Sequence, residues 1–131
     1  MKLNSRLRVL SYRARRAVED FAVAEIHHIE LALLATHDSD SAEVADRRAS
    51  KARHRAIATG DRLADLLSEL AEAGGYHHSS DLIVSARLRI SSARRRLAGS
   101  DRVPTAHPLA DTNKPYTLWR RSQERNQQAS A

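Results

Sequence analysis

A chain of 131 residues with net charge +6, no cysteine, and only one Met, one Phe and one Trp fits a single domain whose core must be filled by Ala, Leu, Ile and Val. The lack of cysteine excludes disulfides, thiolate catalysis and cysteine-ligated zinc. Glu25 and Glu30 break the most apolar stretch, residues 21–35, and no apolar run follows Lys2, Arg6 and Arg8 closely. Neither a membrane span nor a signal peptide is expected, and the default reading is a soluble cytoplasmic protein.

The first helix is expected from about Ser5 to Thr36. Leu7, Leu10, Ala14, Ala17, Phe21, Ala24, His28, Leu31 and Ala35 follow one another at spacings of three and four, which is a heptad seam. A second apolar row, Val18, Ala22, Ile26, Ile29 and Leu33, gives this helix two neighbours. The polar segment His37–Ser41 reads as a tight loop, with Asp40 or Ser41 capping the next helix. The second helix is expected from about Ala42 to Ala73 and is stopped by Gly74 and Gly75. Its seam is Ala45, Ala49, Ala52, Ala56, Thr59, Leu63, Leu66 and Leu70; Gly60 is placed to bend it. The third helix is expected to start at an N-cap, Ser79 or Ser80, and to end near Gly99, with the seam Ile83, Ala86, Ile90, Ala93 and Leu97.

Three heptad helices joined by short turns make an all-α, antiparallel three-helix bundle over residues 1–99. Residues 100–131 form a basic tail. Pro104, Pro108 and Pro115 suggest an extended segment lying along a surface, with a short helix near 115–125.

Charge divides the chain. Residues 1–73 carry 12 basic and 12 acidic side chains, whereas residues 74–131 carry 10 and 4, which is the entire net charge. The hairpin of the first two helices can compensate itself. Arg6, Arg8, Arg13, Arg15 and Arg16 share one end with Asp61, Asp65, Glu69 and Glu72. Glu19, Asp20, Glu25 and Glu30 share the other end with Arg47, Arg48, Lys51, Arg53 and Arg55. Glu25 lies between the two apolar rows by helical angle. It sits either at the rim, which is the expectation, or buried beside Arg55, Arg87 or Arg94.

The third helix brings Arg87, Arg89, Arg94, Arg95 and Arg96 to the end that holds Arg47, Arg48, Lys51 and Arg53. Too few acids remain to cover them, so together they are the candidate phosphate-binding face. Arginine outnumbers lysine 19 to 3. The guanidinium fork suits phosphate, and GC-rich coding enriches Arg and Ala together as well. Tyr116, Trp119, Arg120 and Arg121 form a candidate docking patch, either for stacking on unpaired bases or for pinning the tail to the bundle or a neighbouring subunit.

Catalytic and metal signals are weak. Glu25-x-x-His28 is half of a di-iron motif, but the facing stretch is basic and no second copy exists, so His28 reads as a packed core residue. His77-His78 is a lone pair in a turn, and the serines lack a nucleophile elbow. No enzyme activity, metal or cofactor is expected.

In size, helicity and basicity, residues 5–99 resemble the small helical subunit of CRISPR effector complexes. The resemblance implies a subunit that stacks along a guide–target duplex or displaced strand. The expected function is a non-catalytic nucleic-acid-binding subunit of a ribonucleoprotein, with RNA or single-stranded DNA and other protein subunits, including copies of itself, as partners. The alternative is a phage- or plasmid-encoded protein-interaction adaptor or inhibitor acting through its helical surfaces.

Overall fold

The computed structural model describes residues 2–37, 42–74, 76–98, 103–111 and 127–128. Three long helices, α1 (Lys2–His37), α2 (Ala42–Glu72) and α3 (Tyr76–Ala98), are followed by a single turn, α4 (Pro108–Asp111). The first helix packs on both others, as its two apolar rows require, and the fold is an all-α bundle. Residues 38–41, including the expected capping residues Asp40 and Ser41, lie outside the described residues, as do Gly99 and the segment 112–126 with its expected short helix.

Phe21, at the centre of the α1 seam, is fully buried, and Leu10, Ala14, Ala17, Leu63, Leu67 and Leu70 pack in the same cluster. The other row of α1 supplies Val18, Ala22 and Ile29, and α3 supplies Ile83, Ala86 and Ile90. Buried Ala14, Ala17, Ala52 and Ala56 carry almost no side-chain bulk, which lets α1 and α2 approach closely. The turn after α2 uses Gly74 at φ 94°, with its N–H donating to the Ala71 carbonyl at 3.1 Å. This is the left-handed helix stop that glycine permits.

Three expectations are corrected. First, α3 begins at Tyr76, so neither Ser79 nor Ser80 is an N-cap. The Ser79 hydroxyl is buried and donates to the Leu67 carbonyl of α2 at 3.3 Å, so it joins two helices rather than ending one. Second, Leu97 is exposed at the last turn of α3, and the seam ends at Ala93. Third, the segment after α3 does not merely lie along a surface. Val103, Leu109 and Ala110 are buried members of the core cluster.

That segment, residues 103–111, is a strap that touches every helix. Arg94 of α3 donates to the Val103 carbonyl at 2.7 Å, and the Ala106 N–H donates to the Glu25 carboxylate of α1 at 2.8 Å. His107 Nε2 meets Asp61 of α2 at 2.9 Å, and its ring stands edge-to-face on Phe21 with centroids 5.6 Å apart. The Leu109 N–H donates to His107 Nδ1 at 3.1 Å. Nδ1 is therefore the acceptor, and Nε2 carries the proton toward Asp61. Each ring nitrogen has one partner, and the imidazole itself caps α4.

Gly60 is where the strap lands. A methyl group there would come within 2.5 Å of His107 Cγ. The glycine is thus a seat for the imidazole rather than a bend. Gly60→Ala is expected to lower stability by about 1–3 kcal/mol through overpacking. In a His107→Ala background the clash is gone, and the same change should raise stability by up to about 1 kcal/mol through helix propensity. Thermal melts of the four variants check this; equal effects of Gly60→Ala in both backgrounds would contradict it.

Candidate nucleic-acid interface

The register between helices sets the height of each cation. Arg89 of α3 pairs with Glu19 of the parallel helix α1. Counting on from that pair, the last residue of α3 stands at about the level of His28. The last turns of α1 and the first turns of α2 therefore run past the end of α3 as a two-helix stem. Lys51 and Arg53 stand near the height of Arg94, Arg95 and Arg96, while Arg47 and Arg48 lie at or beyond the end of α3. The strap bridges α3 and α2 over Phe21 and Glu25.

The cations differ in surroundings. Arg47, Arg48, Lys51 and Arg53 are all exposed, with the Arg47 Nε–H donating along its own helix to the Glu43 carbonyl at 3.4 Å. Arg95 and Arg96 are exposed, and Arg87 is half-buried. Among the described residues, none of these seven forms an ion pair with a carboxylate. Arg89 and Glu19 keep 40% and 62% of their side-chain surface, so their pairing contributes only about 0–1 kcal/mol and can be exchanged for another anion. Arg94 is half-buried and turned inward to the strap, which gives it a structural task. Tyr116, Trp119, Arg120 and Arg121 lie outside the described residues.

The expected compensation within the α1–α2 hairpin is not expressed as contacts. Among the described residues, no ion pair joins Arg6, Arg8, Arg13, Arg15 or Arg16 to Asp61, Asp65, Glu69 or Glu72. Asp61 is used instead by His107.

Glu25 overturns its rim expectation, since it is 0% exposed. Burial pushes its carboxyl above the usual carboxylate range; the Ala106 N–H and the Arg94 guanidinium oppose that rise without cancelling it. Of the three cations expected as its partner, Arg94 is the one beside it. Oε1 accepts from Ala106, and Oε2 has no hydrogen-bond partner among the described residues. His28 is buried, as its seam position requires, and burial followed by the nearby Arg53 holds its imidazole below the ordinary histidine range.

Glu25 and His28 face protein, both His107 nitrogens are occupied, and no group of three His, Asp or Glu among the described residues is placed to hold a metal. Two shallow grooves flank α1. One, beside α2, is lined by Glu19, Asp20, Val23, Ala24, His27, Ala52 and Arg55. The other, beside α3, has Ile26 and Ala93 in its wall and Leu88, Arg89, Ser92 and Arg96 around it.

The strap residues Val103, His107 and Leu109, and Gly60 beneath them, were not among the expected functional or core positions. The available signal was Gly60 itself. A glycine inside a long Ala-rich helix costs about 1 kcal/mol and calls for a packing reason.

The two buried titrating groups have opposite signs. The folded state holds the Glu25 proton more tightly than the unfolded chain, so this stabilisation is complete below about pH 4.5 and is lost as pH rises through the folded value. His28 contributes fully above about pH 6.5, and its contribution is lost as pH falls through its lowered folded value. Glu25→Gln keeps an acceptor for Ala106, so the melting temperature of the wild type should fall relative to this variant as pH rises from 4.5 to 7. Relative to His28→Leu, it should rise as pH increases toward 6.5 and then level off. Melts from pH 4 to pH 8 measure both; parallel curves for all three proteins would contradict the assignments.

Comparison with protein-family models, with curated proteins and with solved structures finds no match to this chain.

Proposed function

We propose that this protein is a non-catalytic helical subunit of a ribonucleoprotein assembly that holds RNA or single-stranded DNA by its phosphate backbone. The observation that carries this reading is the set of exposed cations without an acidic partner among the described residues: Arg95 and Arg96 on α3, and Arg48, Lys51 and Arg53 on α2. A face of this kind releases counterions when phosphates replace water and salt, which is the dominant sequence-independent term in nucleic-acid binding.

In this reading, exposure and existing partners rank the residues. Arg95 and Arg96 are free to contact a ligand, and Arg47 and Arg48 extend the reach along the two-helix stem. Arg87 and Arg89 are secondary contributors, because one is half-buried and the other shares Glu19. Arg94 supports the face from below by fixing the strap.

Fluorescence anisotropy with labelled RNA and single-stranded DNA tests this at 50 and 200 mM salt. About five phosphate contacts on a single strand predict a loss of affinity of roughly 100-fold between the two salts. Arg95→Glu with Arg96→Glu should weaken binding at least about tenfold and flatten the log–log salt slope by about 1.4. Arg94→Gln should lower the melting temperature. Absence of salt-sensitive binding, together with tight capture of a protein partner that survives the Arg95 and Arg96 substitutions, would support the adaptor or inhibitor reading instead.

A further inference from the structure

The side of α1 that faces away from the bundle carries an unused heptad stripe. Val9, Arg16, Val23 and Glu30 recur every seven residues, and Arg13, Asp20, His27 and Leu34 recur with them at the alternating spacings of four and three. Val9, Val23 and Leu34 are 49%, 61% and 62% exposed, and Tyr12 beside them is 65% exposed. Val23, with Asp20 and His27, forms the α1 wall of the groove beside α2, and all four apolar side chains keep about half or more of their surface open. This stripe is separate from the two inward rows that build the core.

Its charges are segregated along the helix. Up to Val18, α1 exposes Arg6, Arg8, Arg13, Arg15 and Arg16 and no acid; from Glu19 onward it presents Glu19, Asp20 and Glu30 and no Lys or Arg. Among the described residues, Arg13, Arg16, Asp20 and Glu30 form no ion pair within the molecule. A helix with one basic and one acidic half is complementary to a reversed copy of itself. A two-fold axis through the middle of α1 satisfies both halves at once, as an isologous interface requires.

We infer that the outer stripe of α1 is a homodimer interface in which two copies pair antiparallel about the region of Asp20–Val23. The heptad fixes the register. Val9 packs on Leu34 of the second copy, Arg13 meets Glu30, Arg16 lies over His27, and Val23 lies beside Asp20, each contact occurring twice. Antiparallel coiled coils stack their two seam positions in this alternating manner, and flanking charges decide orientation. Tyr12 closes the outer apolar layer against the half-buried Leu31. The cations on α2 and α3 assigned to nucleic acid lie on other helices, so the dimer presents two such faces.

The test is sedimentation of the full chain without nucleic acid, at micromolar concentration and low salt. A dimer is expected. Arg13→Glu alone and Glu30→Arg alone should each weaken it about tenfold or more, since each places like charges together twice. The double variant Arg13→Glu/Glu30→Arg should restore it. These two positions are about 26 Å apart along one helix, so rescue cannot arise within a single molecule. The chain has no cysteine, so single-cysteine variants give the orientation. Val23→Cys, near the axis, should cross-link to its mate, and Val9→Cys, far from it, should not. A monomer at every concentration, a dimer indifferent to Arg13→Glu, a double variant no better than the singles, or cross-linking at both cysteine positions would each overturn the proposal. So would a monomer whose stripe is occupied by a different protein.

Discussion

The bond from the Ala106 N–H to the Glu25 carboxylate is the constraint that orders the rest of this molecule. A carboxylate at 0% exposure in the middle of a helix is costly unless donors reach it. Neither α2 nor α3 supplies a backbone donor, because helical N–H groups are already used. The donor comes from irregular chain that has returned over the bundle after α3. Once the strap is there, Val103 and Leu109 enter the core, and burial of each side chain contributes about 1.5–3 kcal/mol. Apolar burial holds the strap, and the carboxylate determines where along α1 it sits.

The same arrangement explains how the charges are distributed. Arg94 is drawn inward to the Val103 carbonyl and the neighbourhood of Glu25, and Asp61 is taken by His107. One cation is thereby drawn off the surface, and one acid, itself still exposed, is engaged by the strap. What remains outside is uneven. Among the described residues, Arg95 and Arg96 on α3 and Arg48, Lys51 and Arg53 on α2 form no ion pair, while the outer side of α1 has its basic and acidic parts held apart by the stiffness of a helix. The proposed contact with a polyanion and the proposed pairing of two copies both rest on that unevenness.

Much of the architecture was readable because helical periodicity is a property of spacing alone. Both rows of α1 and the order of the helices follow from positions repeated every three or four residues. On α2 the expected Ala52, Ala56, Leu63 and Leu70 are buried, but Ala45, Ala49, Thr59 and Leu66 are only half-buried, and Gly60 and Leu67 turn inward instead. The stop at Gly74 follows from a conformation that suits glycine. The misread features are those in which one residue type serves two purposes. Ser79 has the composition of a cap, but a buried hydroxyl can equally bond a carbonyl on the next helix, and spacing does not distinguish the two. The helical angle of Glu25 was legible and its depth was not, because depth depends on a strap far away in the sequence. Val103, His107 and Leu109 follow no period, so only the prolines around them and the out-of-place Gly60 marked the segment. At the candidate site, the excess of arginine was visible at once. Which guanidinium groups would be spent on the fold depended on contacts between distant parts of the chain.

The account turns on the strap being an integral part of the core, held through Ala106. Amide hydrogen exchange measured by NMR on the intact protein tests this most directly. The Ala106 and Ala110 N–H groups, bonded to Glu25 and to the His107 carbonyl, should exchange as slowly as the amides around Phe21 and should lose protection together with them. Exchange of Ala106 at the rate of an unstructured peptide, while the α1 core stays protected, would contradict it.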